Sequence, residues 1–202
     1  MISQTSFVVV DTETTGLVPT LDKIIEVAAV KVVDGKIRDE FFTLVNPGIF
    51  VPSETTNITG ITSDMLNGAP DFTPVARKFL DFLGDNSVFV AHNVAFDRDF
   101  LNFALSNVGC ERIKSPYICT IEFAKYLHPN LSRYSLGVLA EVFGIDLPQA
   151  HRAIHDARAT AHLLIKFLKS VQDGGAKHLK DIPVIVNLPK IPEMRENQIS
   201  LF

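Results

Sequence analysis

The most constraining feature of this chain is a four-residue apolar run, Phe7-Val8-Val9-Val10, that ends abruptly in Asp11-Thr12-Glu13-Thr14-Thr15-Gly16. β-Branched and aromatic residues in so short a run, closed by polar residues and a glycine, predict a strand buried on both faces. Side chains at i and i+2 of a strand share a face, so Asp11 and Glu13 project together from its carboxyl end. Two carboxylates so placed must bind a cation, share a proton or face a base. The first Lys or Arg after them is Lys23. Hard oxygen donors of this kind suit Mg²⁺ or Mn²⁺. On the pair alone, a helix-capping Asp beside a solvated Glu accounts for the residues equally well.

The chain around this strand reads as α/β. Residues 24–33 predict a second long strand, and Asp34-Gly35 is a hairpin signal leading into a third strand from Lys36 to Val45. Residues 53–74 predict a loop with short helical pieces, followed by a helix over 74–82. Ser87 to Ala91 is another short buried strand. After His92-Asn93, the stripe Phe96, Phe100, Phe103 and Ala104 predicts a helix over 95–108 packed on a sheet. A short fifth strand is expected at residues 117–119, and helices at 121–126 and 136–143, the latter closed by Gly144. The last helix is expected over 155–171. From Gly174-Gly175 onward, Pro183, Pro189 and Pro192 interrupt any regular element. The expected organisation is therefore one domain over residues 1–173 and a tail over 174–202.

Composition narrows the class. A chain of 202 residues with 47% hydrophobic and 21% charged residues can bury a sizeable core. No apolar stretch approaches the roughly 18 residues of a bilayer span, and the N-terminus lacks a signal-type pattern, so a cytoplasmic protein is expected. Cys110 and Cys119 supply neither a disulfide framework nor zinc spacing. A net charge of −4 argues against wholesale wrapping of nucleic acid. An acidic site can still meet phosphate through its cations.

Further acids and imidazoles accompany the opening pair: Asp97 in His92-Asn93-Val94-Ala95-Phe96-Asp97, and Asp156 in His151-Arg152-Ala153-Ile154-His155-Asp156-Ala157. Each fits a helix-start acid favoured by the macrodipole. Together they put four carboxylates at element ends that an α/β fold brings side by side. Asp-Thr-Glu-Thr-Thr-Gly, His-Asn-x-x-Phe-Asp and His-x-x-x-x-Asp-Ala, in this order, resemble the three motifs of DnaQ-like DEDDh 3′-to-5′ exonucleases, the family of the polymerase III epsilon proofreading subunit.

The resemblance covers residues 6 to about 170 and implies an RNase H-like fold, a five-stranded mixed sheet flanked by helices. It implies two divalent cations, Mg²⁺ or Mn²⁺, with Asp11, Glu13 and Asp156 holding one, Asp11 shared with the second, and Asp97 supporting that second ion. On a continuous helix His151 and Asp156 would point about 140° apart, so His151 can join the site only from a loop before the helix. The resemblance selects His151 as the general base, a role for which an imidazole titrates close enough to neutrality. His155 is then an exposed first-turn residue. The resemblance also sets Thr14, Thr15 and Leu17 along the terminal nucleotides and Phe96 in the terminal nucleoside pocket. Thr59 stands where many relatives carry His.

The last five residues, Gln198-Ile199-Ser200-Leu201-Phe202, resemble the bacterial sliding-clamp-binding peptide, in which an apolar pair is buried in a pocket of the partner. The implied activity is hydrolysis at DNA 3′ ends, single-stranded or frayed, releasing nucleoside 5′-monophosphates for a DNA polymerase or in repair. The alternatives are a 3′-to-5′ exoribonuclease and a catalytically silent clamp-tethered binding module.

Overall fold

A computed structural model describes residues 1–187. Six strands form one sheet in the order β3-β2-β1-β4-β5-β6. The strands are β1 (Ser6–Thr14), β2 (Ile24–Val33), β3 (Lys36–Leu44), β4 (Ser87–Ala91), β5 (Tyr117–Cys119) and β6 (Ile185–Val186). Between them run α1 (Ser53–Thr59), α2 (Ser63–Leu66), α3 (Phe72–Leu83), α4 (Val94–Asn107), α5 (Thr120–Leu127), α6 (Leu136–Phe143) and α7 (Ala153–Asp173).

The opening meander follows from its turn chemistry. Asp34 and Gly35 both adopt positive φ, 53° and 63°. That twist matches the two flanking strands, so β2 pairs antiparallel with β3, and β1 pairs antiparallel with β2. β1 then pairs in parallel with β4, and β4 with β5. The apolar run thus lies at the centre of the sheet, with Val8, Val9 and Val10 fully buried.

Alternation along β1 divides the core. Phe7 and Val9 join Ala28, Val30 and Val90 beneath α7, where Ala157, Ala161, Leu164 and Leu168 recur at helical spacing. Val8 and Val10 join Ala29, Phe89, Phe79, Phe100 and Leu101 on the face covered by α3 and α4. The same parity continues past Val10. Asp11 and Glu13 share the α7 face with Val9, whereas Thr12 shares the α4 face with Val10.

Two helices start two residues before expectation. Helix α3 starts at Phe72 because the Asp71 side chain accepts from the Thr73 N–H at 2.8 Å, and Pro74 falls in the first turn, where its missing N–H leaves nothing unbonded. Helix α7 starts at Ala153, two residues before the expected start.

Among the described residues the sheet has six strands, which corrects the expected five. β6 comes from the stretch expected to be a tail, and it pairs antiparallel with β5 through Tyr117↔Val186 and Ile118↔Ile185. Proline is tolerated beside an edge strand, and two residues are too few to show a period. The segment before it also packs: Ile182 is buried in the α7-side core, and the Ile2 N–H donates to the Lys177 carbonyl at 2.9 Å. The expected clamp peptide, Gln198 to Phe202, lies outside the described residues. Ile182→Ala should therefore lower stability by about 2–4 kcal/mol in chemical denaturation, as for other buried aliphatic truncations; an unpacked segment would give no change.

Candidate active site

Four carboxylates converge at the carboxyl end of β1. Asp11 and Glu13 come from the strand. Asp156 comes from the first turn of α7, which lies across β1 and β2 on the same face. One oxygen from each of Asp11, Glu13 and Asp156 lies within 4.8 Å of the other two. Asp97, in the first turn of α4, reaches the same end from the opposite face. Its Oδ1 accepts from both the backbone N–H and the hydroxyl of Thr12, each at 2.9 Å. Asn93, immediately before α4, takes a left-handed conformation that Asn adopts more readily than most residues, and this turn aims the helix start at β1.

His151 occupies the turn before α7, not the helix, with φ 65°. The geometric condition for its joining the site is thereby met. Its backbone N–H donates to Asp156 Oδ2 at 3.0 Å, so the turn and the acid hold each other. The other oxygen, Asp156 Oδ1, is buried and has no hydrogen-bond partner among the described residues. A buried carboxylate oxygen without a donor is unfavourable unless a cation or proton meets it.

Charge makes the same demand. Burial, then the charges of Asp97, Asp156, Glu13 and Glu26, pushes the Asp11 carboxyl well above its usual range. Burial, then Asp156, Glu26 and Asp97, raises Glu13 to about 8, against a lesser lowering by Arg152. Burial raises Asp97 to about 7 despite its bonds to Thr12. Asp156 is also raised by burial, opposed by the His151 N–H. Three acids within ligand reach of one another, one with an orphaned oxygen, fit a divalent cation held by Asp11, Glu13 and Asp156.

The expected substrate contacts fall into two groups. Thr14 and Thr15 are buried, and their hydroxyls shape the β1–β2 turn: Thr14 Oγ1 donates to the Gly16 carbonyl at 2.6 Å, and Thr15 Oγ1 accepts from the Lys23 N–H at 3.0 Å. A Cβ at Gly16 would displace the Asp22 carboxylate, which accepts from the Val18 N–H. Leu17, by contrast, is 81% exposed at the tip of that turn. Phe96 is half-buried and stacks on Phe100, ring centroids 4.9 Å apart. Thr59 is buried at the end of α1, its hydroxyl donating to the Thr55 carbonyl and accepting from the Ile61 N–H.

Two residues that sequence reasoning did not single out belong to this region. His92 bonds Thr120 Oγ1 through Nδ1 at 2.9 Å, and burial pushes it down to about 4, so it is neutral. Glu26, 1% exposed, carries the Arg152 guanidinium and the Ala153 N–H. Its sequence context, an apolar run, gave no signal of that role.

The raised acids fix the sign of a pH effect. Each carboxyl with a folded pKa above its unfolded value binds more protons in the folded state, so stability falls as pH rises through that interval. His92 opposes this only up to its unfolded pKa near 6.5. Between pH 6.5 and 8 the metal-free protein should therefore lose thermal stability, and millimolar Mg²⁺ or Mn²⁺ should restore more of it at pH 8 than at pH 6.5. Calorimetric melting with and without chelator reads both; a metal-free midpoint that rises over this window contradicts the assignment.

The chain matches the RNase_T family, described as Exonuclease, over residues 8–164. It is 42% identical over 179 residues to the DNA polymerase III PolC-type of Bacillus subtilis (strain 168), covering 88% of this chain and 12% of that protein. It is 44% identical over 167 residues to the PolC-type enzyme of Clostridium perfringens (strain 13 / Type A), covering 83% and 11%. The chain thus spans about an eighth of the length of these relatives. Among solved structures, exonuclease X in complex with 5′ overhanging duplex DNA superposes with a TM-score of 0.70 at 27% identity, covering 87% of this chain and 96% of that one. The nuclease domain of 3′hExo, a DEDDh family member bound to rAMP, shares the fold at a TM-score of 0.73 and 21% identity, covering 83% and 93%. The matched span contains all four acids and His151, and the chain belongs to the RNase_T exonuclease family.

Proposed function

We propose that this chain is a divalent-cation-dependent 3′-to-5′ exonuclease that removes nucleoside 5′-monophosphates from DNA 3′ ends in the service of a bacterial DNA polymerase. The observation that carries the reading is the convergence of Asp11, Glu13 and Asp156 beside a turn that bears His151. The DNA assignment is supported by the relatives, which are named DNA polymerase III, and by exonuclease X, whose structure holds duplex DNA.

Bound at Asp11, Glu13, Asp156 and Asp97, Mg²⁺ or Mn²⁺ would supply stabilisation of the phosphate charge and a water of lowered pKa. His151 takes the proton of the attacking water from its turn before α7. The water oxygen bonds to phosphorus, and the bond from phosphorus to the 3′ oxygen of the penultimate nucleotide breaks. That oxygen takes a proton from solvent, and His151 returns its own to solvent, giving a 5′-monophosphate and a new 3′-hydroxyl. Leu17, exposed in the turn after β1, separates the terminal bases, and Phe96 lines the nucleoside pocket. Among the described residues no helix is long and apolar enough to cross a membrane. Docking of Gln198 to Phe202 on a sliding clamp is part of the same proposal, resting on the sequence of that peptide.

The test is a time course on 5′-labelled single-stranded DNA, with a matched RNA, in Mg²⁺, Mn²⁺ or chelator. A ladder shortening from the 3′ end, dependent on metal and abolished by Asp11→Ala, is expected. His151→Ala should slow turnover by about 10²-fold or more, the usual contribution of a general base, while His155→Ala should stay within a few-fold of the intact chain. Reversal of those two assigns the base to His155. Intact DNA beside degraded RNA makes the chain an exoribonuclease, and no shortening of either makes it a binding module.

A further inference from the structure

Glu26 is the third residue of β2, within Ile24-Ile25-Glu26-Val27-Ala28, with its side chain almost wholly removed from water. A carboxylate there needs partners, and it has three donors. Arg152 Nη2 reaches Oε1 at 2.8 Å, Arg152 Nε reaches Oε2 at 3.3 Å, and the Ala153 N–H reaches the same Oε2 at 2.9 Å. The guanidinium fork and the carboxylate meet edge to edge, the geometry that fixes orientation as well as charge. Arg152 is the N-cap residue of α7 and makes no capping bond with its own side chain. Glu26 therefore caps that helix from the neighbouring strand, at the end where a negative charge is favoured.

The location gives this contact its consequence. Glu26 lies directly opposite Glu13 in the β1–β2 register. Like charges facing each other across a strand pair are unfavourable. Arg152 stands between them electrically: it lowers the Glu13 carboxyl, which Glu26 raises. The residues that Glu26 grips, Arg152 and Ala153, lie between His151 and Asp156.

We propose that Glu26 and Arg152 are a positioning pair, which locks the turn carrying His151 and the first turn of α7 carrying Asp156 against β1, and whose mutual saturation keeps Glu26 out of the cation-binding set. The proposal rests on the nuclease reading for its catalytic consequence but not for its structural one. Every acceptor on Glu26 faces a donor, so Glu26→Gln, which keeps the shape, turns an N–H₂ toward one of them.

The experiment combines amide hydrogen exchange in the metal-free full chain with steady-state kinetics on single-stranded DNA. Glu26→Gln should accelerate exchange at His151 and Ala153 by about tenfold or more while β4 amides stay protected. It should lower kcat by about tenfold or more and leave KM within about threefold, because the bound substrate remains while the reacting groups lose their alignment. Arg152→Gln, on the more exposed partner, carries the same prediction should Glu26→Gln fail to fold. Unchanged exchange overturns the locking. Faster exchange with unchanged kcat overturns the positioning role, as does a loss confined to KM. An intact chain with no nuclease activity overturns the nuclease reading instead, and the exchange arm still decides whether Glu26 anchors the turn.

Discussion

Mutual repulsion among the carboxylates at the end of β1 is the constraint to which the rest of the molecule answers. Asp11, Glu13 and Asp156 bring oxygens within 4.8 Å of one another in a half-buried setting. Unit charges at such a separation repel by on the order of 3–4 kcal/mol per pair at the effective dielectric of a protein surface. Domains of this size are stable by only about 5–15 kcal/mol in total. The ionised cluster is therefore a substantial liability without compensation, and burial together with the neighbouring acids raises the Asp11 and Glu13 carboxyls. A divalent cation is the compensation that also gives such a cluster something to do.

The fold holds the acids together by placing each on an element that cannot retreat. β1 is an interior strand, fully buried through Val8 to Val10, so Asp11 and Glu13 emerge from backbone held on both sides by paired strands. Helix α7 is pinned along β1 and β2 by its Ala and Leu stripe, and at its N-terminus by Glu26. Helix α4 is fixed through the bonds from Thr12 to Asp97. The pleat explains the division of labour: residues 11 and 13 face α7, and residue 12 faces α4. Leu17 is exposed in the turn that follows the strand bearing Asp11 and Glu13.

Much of this is legible in the sequence because it depends on short-range rules. Period two pairs Asp11 with Glu13, Asp34-Gly35 forces the hairpin, and the Phe96 to Ala104 stripe predicts α4. Asp97 and Asp156 are legible only through motif order, since nothing local distinguishes a catalytic first-turn acid from a capping one. The position of His151 follows once the helix start is known, and that start depends on Glu26, 126 residues from Arg152, which an apolar run conceals. β6 is equally concealed: two residues after a proline show no period, and pairing with β5 alone defines them. What the sequence withholds is long-range partnership, and in this chain the long-range partners are the ones that set the geometry of the acids.

On this reading the β1-end acids hold a divalent cation and Glu26 is not among its ligands. Anomalous scattering from crystals of the chain grown with Mn²⁺ tests that claim most directly. Manganese density contacting Asp11, Glu13 and Asp156, with Glu26 still joined to Arg152 and Ala153, is the predicted result. Manganese bound elsewhere while the three acids carry none, or an ion ligated by Glu26 with Arg152 displaced, would contradict the account.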